Sequence, residues 1–159
     1  MAASWIPWNR TLERAAISGT VASVLSTLTL TALGRGEARS ALGPINAVSH
    51  WYWGDRAARQ DGASVKYTLP GYLTHHGASV FWAVVFERLF GRRARRNPAT
   101  ALATGMTVAT LAATVDYTIT PKRLTPGYEK RLSVPSLVVV YAAFGVGLAL
   151  TEMTRGLRG

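Results

Sequence analysis

Residues 71–96 read GYLTHHGASVFWAVVFERLFGRRARR, and this stretch decides the fold because its polar groups lie at its two ends. Two adjacent histidines, His75 and His76, open an apolar run, which closes on Glu87, Arg88 and a basic cluster. A helix on the surface of a soluble protein would instead place its charges along one polar face. Charge confined to the two ends is typical of a helix that crosses a membrane.

Four runs in the chain lack fixed charge, at residues 15–34, 67–86, 98–115 and 134–151. Each reaches the roughly 18 apolar residues that indicate a transmembrane helix. A soluble helical bundle is the alternative, but four uncharged runs in one short chain count against it. We therefore predict an all-α protein, a four-helix transmembrane bundle. It forms a single integral membrane domain over residues 1–159, with spans at about 13–34, 68–90, 98–120 and 134–153.

Composition narrows the classes of partner and chemistry. The net charge of +10 would suggest nucleic acid, but the basic residues lie between apolar runs and form no stripe with aromatic residues. We expect the lipid bilayer as the main partner, other membrane-protein subunits as a second class, and no nucleic acid. The chain has no cysteine, which excludes disulfides and thiolate metal sites. It also has no Walker loop, dinucleotide fingerprint, HExxH or GxSxG, so the sequence favours a non-enzymatic protein.

The first apolar run has two interpretations. Residues 1–34 resemble a signal peptide that ends in the small-residue sequence ALG. The run is long for a signal peptide, however, and its threonines match the composition of the third run. We favour an uncleaved first helix on the criterion of length.

The connection between the first two runs contains a candidate for an interfacial helix. Residues 44–60 can form a helix, and Trp51, Tyr52 and Trp53 would give it an aromatic anchor. We predict an interfacial helix at about 44–60, lying on the membrane surface in the first outer loop. A plain loop with incidental aromatic residues is the alternative.

The distribution of basic residues predicts the orientation. The short connection between the second and third runs contains Arg92, Arg93, Arg95 and Arg96. The positive-inside rule places this loop, and with it both termini, in the cytoplasm, where its arginines could bind lipid headgroups. Glu87 falls on the same side, and we expect it to pair with Arg88 or with this loop. The rule is not unanimous, because Lys122, Arg123, Lys130 and Arg131, among other basic residues, then lie outside.

The first and third runs also resemble each other. Residues 20–31 read TVASVLSTLTLT and residues 107–118 read TVATLAATVDYT. A duplicated helical hairpin would produce this similarity, and so would chance agreement between two helices rich in threonine, alanine and valine.

In this orientation nearly all non-basic titratable groups outside the termini, with Glu87 as the exception, lie at the outer side: His50, Asp55, His75, His76, Asp116, Tyr117 and Glu129. Asp116 shares a helical stripe with small residues, so we expect it to face the interior of the bundle. His75 begins a bulky stripe suited to lipid, whereas His76 begins a stripe of smaller residues. We therefore predict that His76 turns inward and contacts Asp116, and that His75 turns toward the interface.

A histidine and a carboxylate in contact support three interpretations. The first is a structural hydrogen bond that satisfies Asp116 within the membrane. The second is a metal or haem site using His50, His76 and Asp116, with His75 and Glu129 as further candidate ligands, because imidazole and carboxylate groups suit Zn, Fe or Cu. The third is proton or substrate handling. The cofactor, whether metal ion or haem, is not determined by the spacing.

Three motifs together carry a resemblance to a known family: PINAVSHWYWGDRA (44–57), the histidines preceding FWAVVFERL (81–89), and DYTITPKRLTPGYE (116–129). They resemble a family of small uncharacterised bacterial inner-membrane proteins, over roughly residues 41–150. The resemblance implies a multi-pass protein of the bacterial inner membrane and no particular activity. We expect an accessory or scaffold component with a His/Asp cluster at its outer face. The alternatives are a metal- or haem-binding redox or transport protein, and an enzyme acting on a lipid-phase substrate.

Overall fold

The computed structural model describes residues 6–156, and throughout this range the regular structure is helical, with no strand. In chain order its seven α-helices are α1 (Trp8–Glu37), α2 (Gly43–Val48), α3 (His50–Trp53), α4 (Thr68–Leu89), α5 (Gly91–Ala94), α6 (Pro98–Thr114) and α7 (Val134–Gly156). Short 3-10 turns lie at Gly54–Arg59, Lys122–Leu124 and Tyr128–Lys130, and a π-helical turn at Val115–Ile119 prolongs α6. We call the end formed by residues 90–97 the arginine end. The connections at the opposite end, residues 38–67 and 120–133, are called the cap, and that end is the cap end.

The ends of the long helices are fixed by polar contacts. At the start of α6 the side chain of Asn97 accepts a hydrogen bond from the backbone N–H of Thr100, at 2.8 Å. The start of α7 is capped from the far end of α1, because Glu37 accepts bonds from the backbone N–H of Ser133 at 2.7 Å and from its hydroxyl at 2.9 Å. The hydroxyl of Ser136 also donates to Glu37. A carboxylate at a helix N-terminus is electrostatically favourable.

Packing centres on α1, which lies along both α4 and α7, whereas α6 packs chiefly on α7. Two glycines allow the close approach. A Cβ at Gly19 would stand 2.7 Å from Cα of Val80 on α4, and a Cβ at Gly147 of α7 would stand 2.4 Å from Cα of Ala22. Small residues at crossings of this kind are typical of membrane helices. By contrast, α4 and α6 contact each other little, so the four long helices leave an opening between them.

Three of the long helices are long and apolar enough to cross a membrane: Trp8–Glu37, Pro98–Ile119 and Val134–Arg155. The all-helical class is therefore confirmed, and three of the predicted spans coincide with helices long and apolar enough to cross a membrane. The fourth predicted span coincides with α4, a helix of 22 residues. It is not among the three, because His75, His76 and the pair Glu87–Arg88 make it less apolar. The four-span bundle stays a prediction.

The predicted interfacial helix at 44–60 is corrected by the structure. In its place stand α2, α3 and a 3-10 turn, with a break at Gly54, whose φ is +61°. Every residue of α2 is buried in protein, so α2 lacks the exposed apolar face that an interfacial helix presents. A Cβ at Gly71 of α4 would be only 2.2 Å from the carbonyl oxygen of Ile45. The exposed side chains begin after α2 and include those of Tyr52 and Trp53.

Asn46 holds this buried segment in place. Its Nδ2 donates to the carbonyl oxygens of Gln60 and Gly62, each at 2.9 Å. Its Oδ1 accepts a bond from the hydroxyl of Thr68, at 2.6 Å. One buried side chain therefore ties α2 to the loop that precedes α4. A surface helix has no need of such a residue.

We predict that Asn46→Ala lowers the free energy of unfolding by about 2–4 kcal/mol, because it removes a fully buried side chain together with its three hydrogen bonds. Denaturant or thermal unfolding in detergent measures the change. Val65→Ala in the same connection, at a side chain that is 82% exposed, is the control and should change little. Equal stability of the two variants would contradict the role given to Asn46.

Candidate functional site

The main candidate site is a cleft between α4 and α6. The two helices are joined by residues 90–97 at the arginine end, and toward the cap end a space of about 570 Å³ separates them. Its walls are largely aromatic and apolar, and include Trp51, Tyr52, Phe81, Trp82 and Val115. The polar side chains that line it include His75, Asp116 and Tyr128.

His75 is held by α1. Its side chain is buried, and its Nε2 lies 2.9 Å from the hydroxyl oxygen of Ser26. That hydroxyl also donates to the carbonyl oxygen of Ala22 one turn earlier, at 2.8 Å. The imidazole meets the ring of Tyr128 edge to face, with 6.4 Å between ring centroids. The ring is therefore fixed between α1 and the cap.

Asp116 belongs to a short chain of hydrogen bonds. The hydroxyl of Tyr141 on α7 donates to Oδ2 of Asp116 at 2.5 Å, and the hydroxyl of Tyr128 donates to that of Tyr141 at 3.2 Å. Asp116 lies in the π-helical turn after α6, a distortion that is frequent at functional sites. Burial raises the pKa of Tyr128 well above its ordinary value, so this phenol stays a protonated donor.

A smaller chamber continues the cleft inward. It has a volume of about 40 Å³, enough for a few water-sized groups at most. His75, Asp116 and Tyr128 line both spaces, and Tyr141 and Ser26 complete the polar wall of the chamber. The cleft thus leads from aromatic walls to a compact group of hydrogen-bonding side chains.

The predicted roles of the two adjacent histidines are reversed. His75 faces the interior, whereas His76 stacks on Tyr72, with 5.9 Å between centroids, and forms no hydrogen bond with Asp116. The partner of Asp116 is Tyr141. The buried face of α4 runs through Gly71, His75, Ser79 and Ala83. The four-residue spacing of these small residues was a signal for the inward histidine, but the bulky residues near it suggested lipid.

His50 and Glu129 serve the cap. Nδ1 of His50 lies 2.9 Å from the carbonyl oxygen of Ala47, and Nε2 is buried with no hydrogen-bond partner in the part of the chain that the structure describes. Glu129 accepts bonds from the backbone N–H of Gly127 at 2.7 Å and from the hydroxyl of Thr125 at 2.6 Å. Gly127 occupies the left-handed region, with φ of +95°, so Glu129 stabilises a turn that only glycine adopts readily.

Asp55 and Tyr117 are peripheral to the cleft. Nζ of Lys130 lies 2.5 Å from Oδ1 of Asp55 at the exposed surface, and this contact holds the pKa of the carboxyl below its usual value. The ring of Tyr117 packs edge to face on Tyr141, with 6.1 Å between centroids. It supports the hydrogen-bonded chain of Asp116 from outside.

The predicted metal ligands do not form a ligand set. Within residues 6–156, no group of three or more His, Asp or Glu side chains is arranged to hold a metal ion. The five candidates, His50, His75, His76, Asp116 and Glu129, are divided among the separate contacts described above. The geometry therefore gives the metal and haem interpretation no support.

At the arginine end, only part of the predicted headgroup surface is open. Arg92, Arg93 and Arg96 are exposed, but Nη1 of Arg95 donates to Oε2 of Glu152 at 2.6 Å. Glu152, a residue that the sequence did not single out, is fully buried.

The expected partner of Glu87 is also different. Nη1 of Arg88 donates to the carbonyl oxygen of Ile6 at 2.6 Å, and its guanidinium lies over the ring of Trp8. Glu87 is instead fully buried between Ser18 of α1 and Arg155 of α7.

Comparison with known proteins adds no relative. No family model matches the chain, and neither the curated proteins nor the solved structures contain a match. The resemblance to small bacterial inner-membrane proteins therefore stays a prediction, and any function has to follow from the geometry of the cleft and its surroundings.

We predict that Asp116→Leu lowers the free energy of unfolding by about 1–3 kcal/mol, because it leaves the half-buried hydroxyl of Tyr141 without its acceptor. Asp116→Asn keeps an oxygen acceptor and should stay close to the wild type. Thermal unfolding in detergent compares the two, with Ile119→Ala, at a 71% exposed side chain of the same turn, as a control. A leucine variant as stable as the wild type would rule out this role of Asp116.

Proposed function

We propose that this chain is a non-enzymatic accessory protein of the bacterial inner membrane, and that its cleft holds an amphiphilic small molecule taken from the lipid phase. One observation carries the proposal. An otherwise aromatic cleft between two separated long helices ends on three hydrogen-bonding side chains, His75, Asp116 and Tyr128. Sites for small molecules typically combine apolar walls with a few polar groups, in volumes of about 300–1,000 Å³.

The proposal includes four membrane spans, with α4 as the fourth. At about 1.5 Å per residue, its 22 residues extend for about 33 Å, enough to cross the hydrocarbon core. It exposes Leu73, Phe81 and Leu89, and these side chains would meet lipid. Its polar residues face protein or lie at its ends. The cleft between α4 and α6 would then open sideways into the bilayer.

The orientation is proposed from charge. The structure has both ends of the described chain at the arginine end, because α1 starts there and α7 finishes there. The exposed arginines Arg92, Arg93 and Arg96 would face cytoplasmic lipid headgroups. The cap, the cleft and the His/Asp group would then lie at the outer face.

The lining of the cleft favours a head group without phosphate. No lysine or arginine is among the residues that line it, so an anionic phosphate would find no counter-charge. His75 can donate or accept a hydrogen bond according to its tautomer, and Asp116 can accept one. These groups suit the hydroxyl or carbonyl of a neutral amphiphile, while Trp82 and Phe81 suit its apolar part.

A binding role agrees with the state of the polar groups. His75 is bonded to Ser26, and Asp116 to Tyr141, so each is oriented by a protein partner before any ligand arrives. Groups fixed in this way lose little side-chain entropy on binding, which favours affinity. This is the arrangement expected of a holding or presenting component, and it supports the accessory role.

A test of binding uses a brominated monoacylglycerol, whose bromines quench tryptophan fluorescence. We expect saturable quenching in the purified protein, and weaker quenching by the phosphorylated lipid of the same chain length. Ala78 lines both spaces and is exposed, so Ala78→Trp fills the cleft without entering the core. We predict that it weakens binding at least tenfold, or about 1.4 kcal/mol.

The matched control is Ala103→Trp, at an exposed position of α6 outside the cleft, which should bind like the wild type. Equal affinity of the two variants, or no preference for the unphosphorylated lipid, would refute the proposed site. The same preparation is checked by elemental analysis and absorption spectroscopy. Stoichiometric metal or a haem spectrum would replace this proposal with a cofactor-binding function.

We predict that α4 separates its two flanking loops onto opposite sides of the membrane. The chain has no cysteine, so single cysteines at Gly62 and Arg96 can be labelled with a membrane-impermeant maleimide. Both positions are exposed, and a side chain at Gly62 meets no neighbour within 4 Å. In intact cells Gly62→Cys should be labelled and Arg96→Cys protected until the membrane is opened. Equal labelling of both would show that α4 does not cross.

A further inference from the structure

At the arginine end, remote from the cleft, a group of charged side chains is buried between the long helices. Glu87 of α4 and Glu152 of α7 have no exposed surface. The side chains of Arg95 and Arg155 are 23% and 24% exposed, so both arginines reach the surface. Two carboxyl groups thus share one enclosed site with two guanidinium groups.

Glu152 is fully paired. Its Oε2 accepts from Nη1 of Arg95 at 2.6 Å, and its Oε1 accepts from Nη1 of Arg155. A guanidinium group on each oxygen satisfies a carboxylate and stabilises its negative charge. Both oxygens of Glu152 therefore have a cationic partner.

Glu87 is paired on one oxygen only. Its Oε1 accepts from the hydroxyl of Ser18 at 3.0 Å and lies 3.4 Å from Nη1 of Arg155, the guanidinium that already serves Glu152. Its Oε2 is buried and has no hydrogen-bond partner among residues 6–156. Gly91 closes that side, since a Cβ there would stand 2.8 Å from Oε2. An anionic oxygen enclosed in this way loses its hydration without compensation.

We propose that Glu87 is a proton-binding site, and that it carries a proton on its carboxyl group whenever the helices are packed. The charged groups that face it are Glu152 and Arg155 from α7 and Arg95 from the segment after α5, with Ser18 as the neutral neighbour from α1. When the carboxyl group of Glu87 is neutral, it does not compete with Glu152 for the guanidinium of Arg155. The proton comes from the aqueous medium and returns to it at the arginine end, where the two arginines reach the surface.

Loss of the proton would change the junction of three helices. An ionised Glu87 repels Glu152 and competes with it for Arg155, so the contacts between α4 and α7 weaken. The site therefore makes the packing at this end dependent on the pH of that side of the membrane. It is independent of the ligand proposed for the cleft.

Infrared spectroscopy tests the proton directly. A protonated carboxyl group has a carbonyl band separate from those of carboxylates, and we expect this band in the full-length protein at neutral pH. Glu87→Gln should remove it, whereas Asp116→Asn and the exposed Glu13→Gln should leave a band in place. A spectrum unchanged by Glu87→Gln would overturn the proposal.

Stability supplies a second measurement. Glutamine resembles the protonated acid in shape and charge, so Glu87→Gln should unfold at the same temperature as the wild type only at about pH 4 or below, where glutamate is protonated in the unfolded chain too. As the pH rises, the wild type should lose stability and the variant should not, and the gap between them should widen. If Glu87→Gln fails to fold, or if the two chains lose stability in parallel with pH, the site holds an anion and the proposal is wrong.

Discussion

The position of α1 between α4 and α7 is the constraint on which the rest of the structure depends. Gly19 and Gly147 bring the backbones of these helices almost into contact. Because α1 occupies the inner faces of both neighbours, α6 is left with α7 as its main partner. The cleft follows from this arrangement, since α4 and α6 are tied at the arginine end by a short connection and have little to hold them together elsewhere. The His75–Ser26 contact depends on the same packing.

The positions of the long helices could be predicted from the sequence because they depend on local properties. A charge-free run indicates a long helix from its own composition. The Asn97–Pro98 start of α6 and the turn at Gly127 are likewise indicated by neighbouring residues alone. Face assignment is a different problem. The stripe through His75 contains both small residues and the bulky Phe86, and only the approach of α1 shows that this face is the interior. Periodicity separates faces but does not identify their neighbours.

The features that escaped prediction all rest on contacts between distant parts of the chain. Asn46 appears in the sequence as one polar residue in a loop, yet its partners fix a buried helix. Glu152 carries no local signal, and its two arginines come from different segments. Tyr141 was read as part of an apolar run, although its hydroxyl is the partner of Asp116. Such hydrogen bonds satisfy buried polar groups, and nothing in local composition shows which partner does so.

The cap that Glu37 provides for α7 has a consequence for biosynthesis. Glu37 ends the first helix and Ser133 precedes the last, so their bond joins groups that leave the ribosome far apart in time. Until α7 is synthesised, the surface of α1 around Ala22, against which Gly147 packs, has no partner, and the carboxylate of Glu37 has no helix end to bind. A truncated chain would expose both to the quality-control proteases of the membrane. Completion of synthesis is thereby coupled to closure of the bundle.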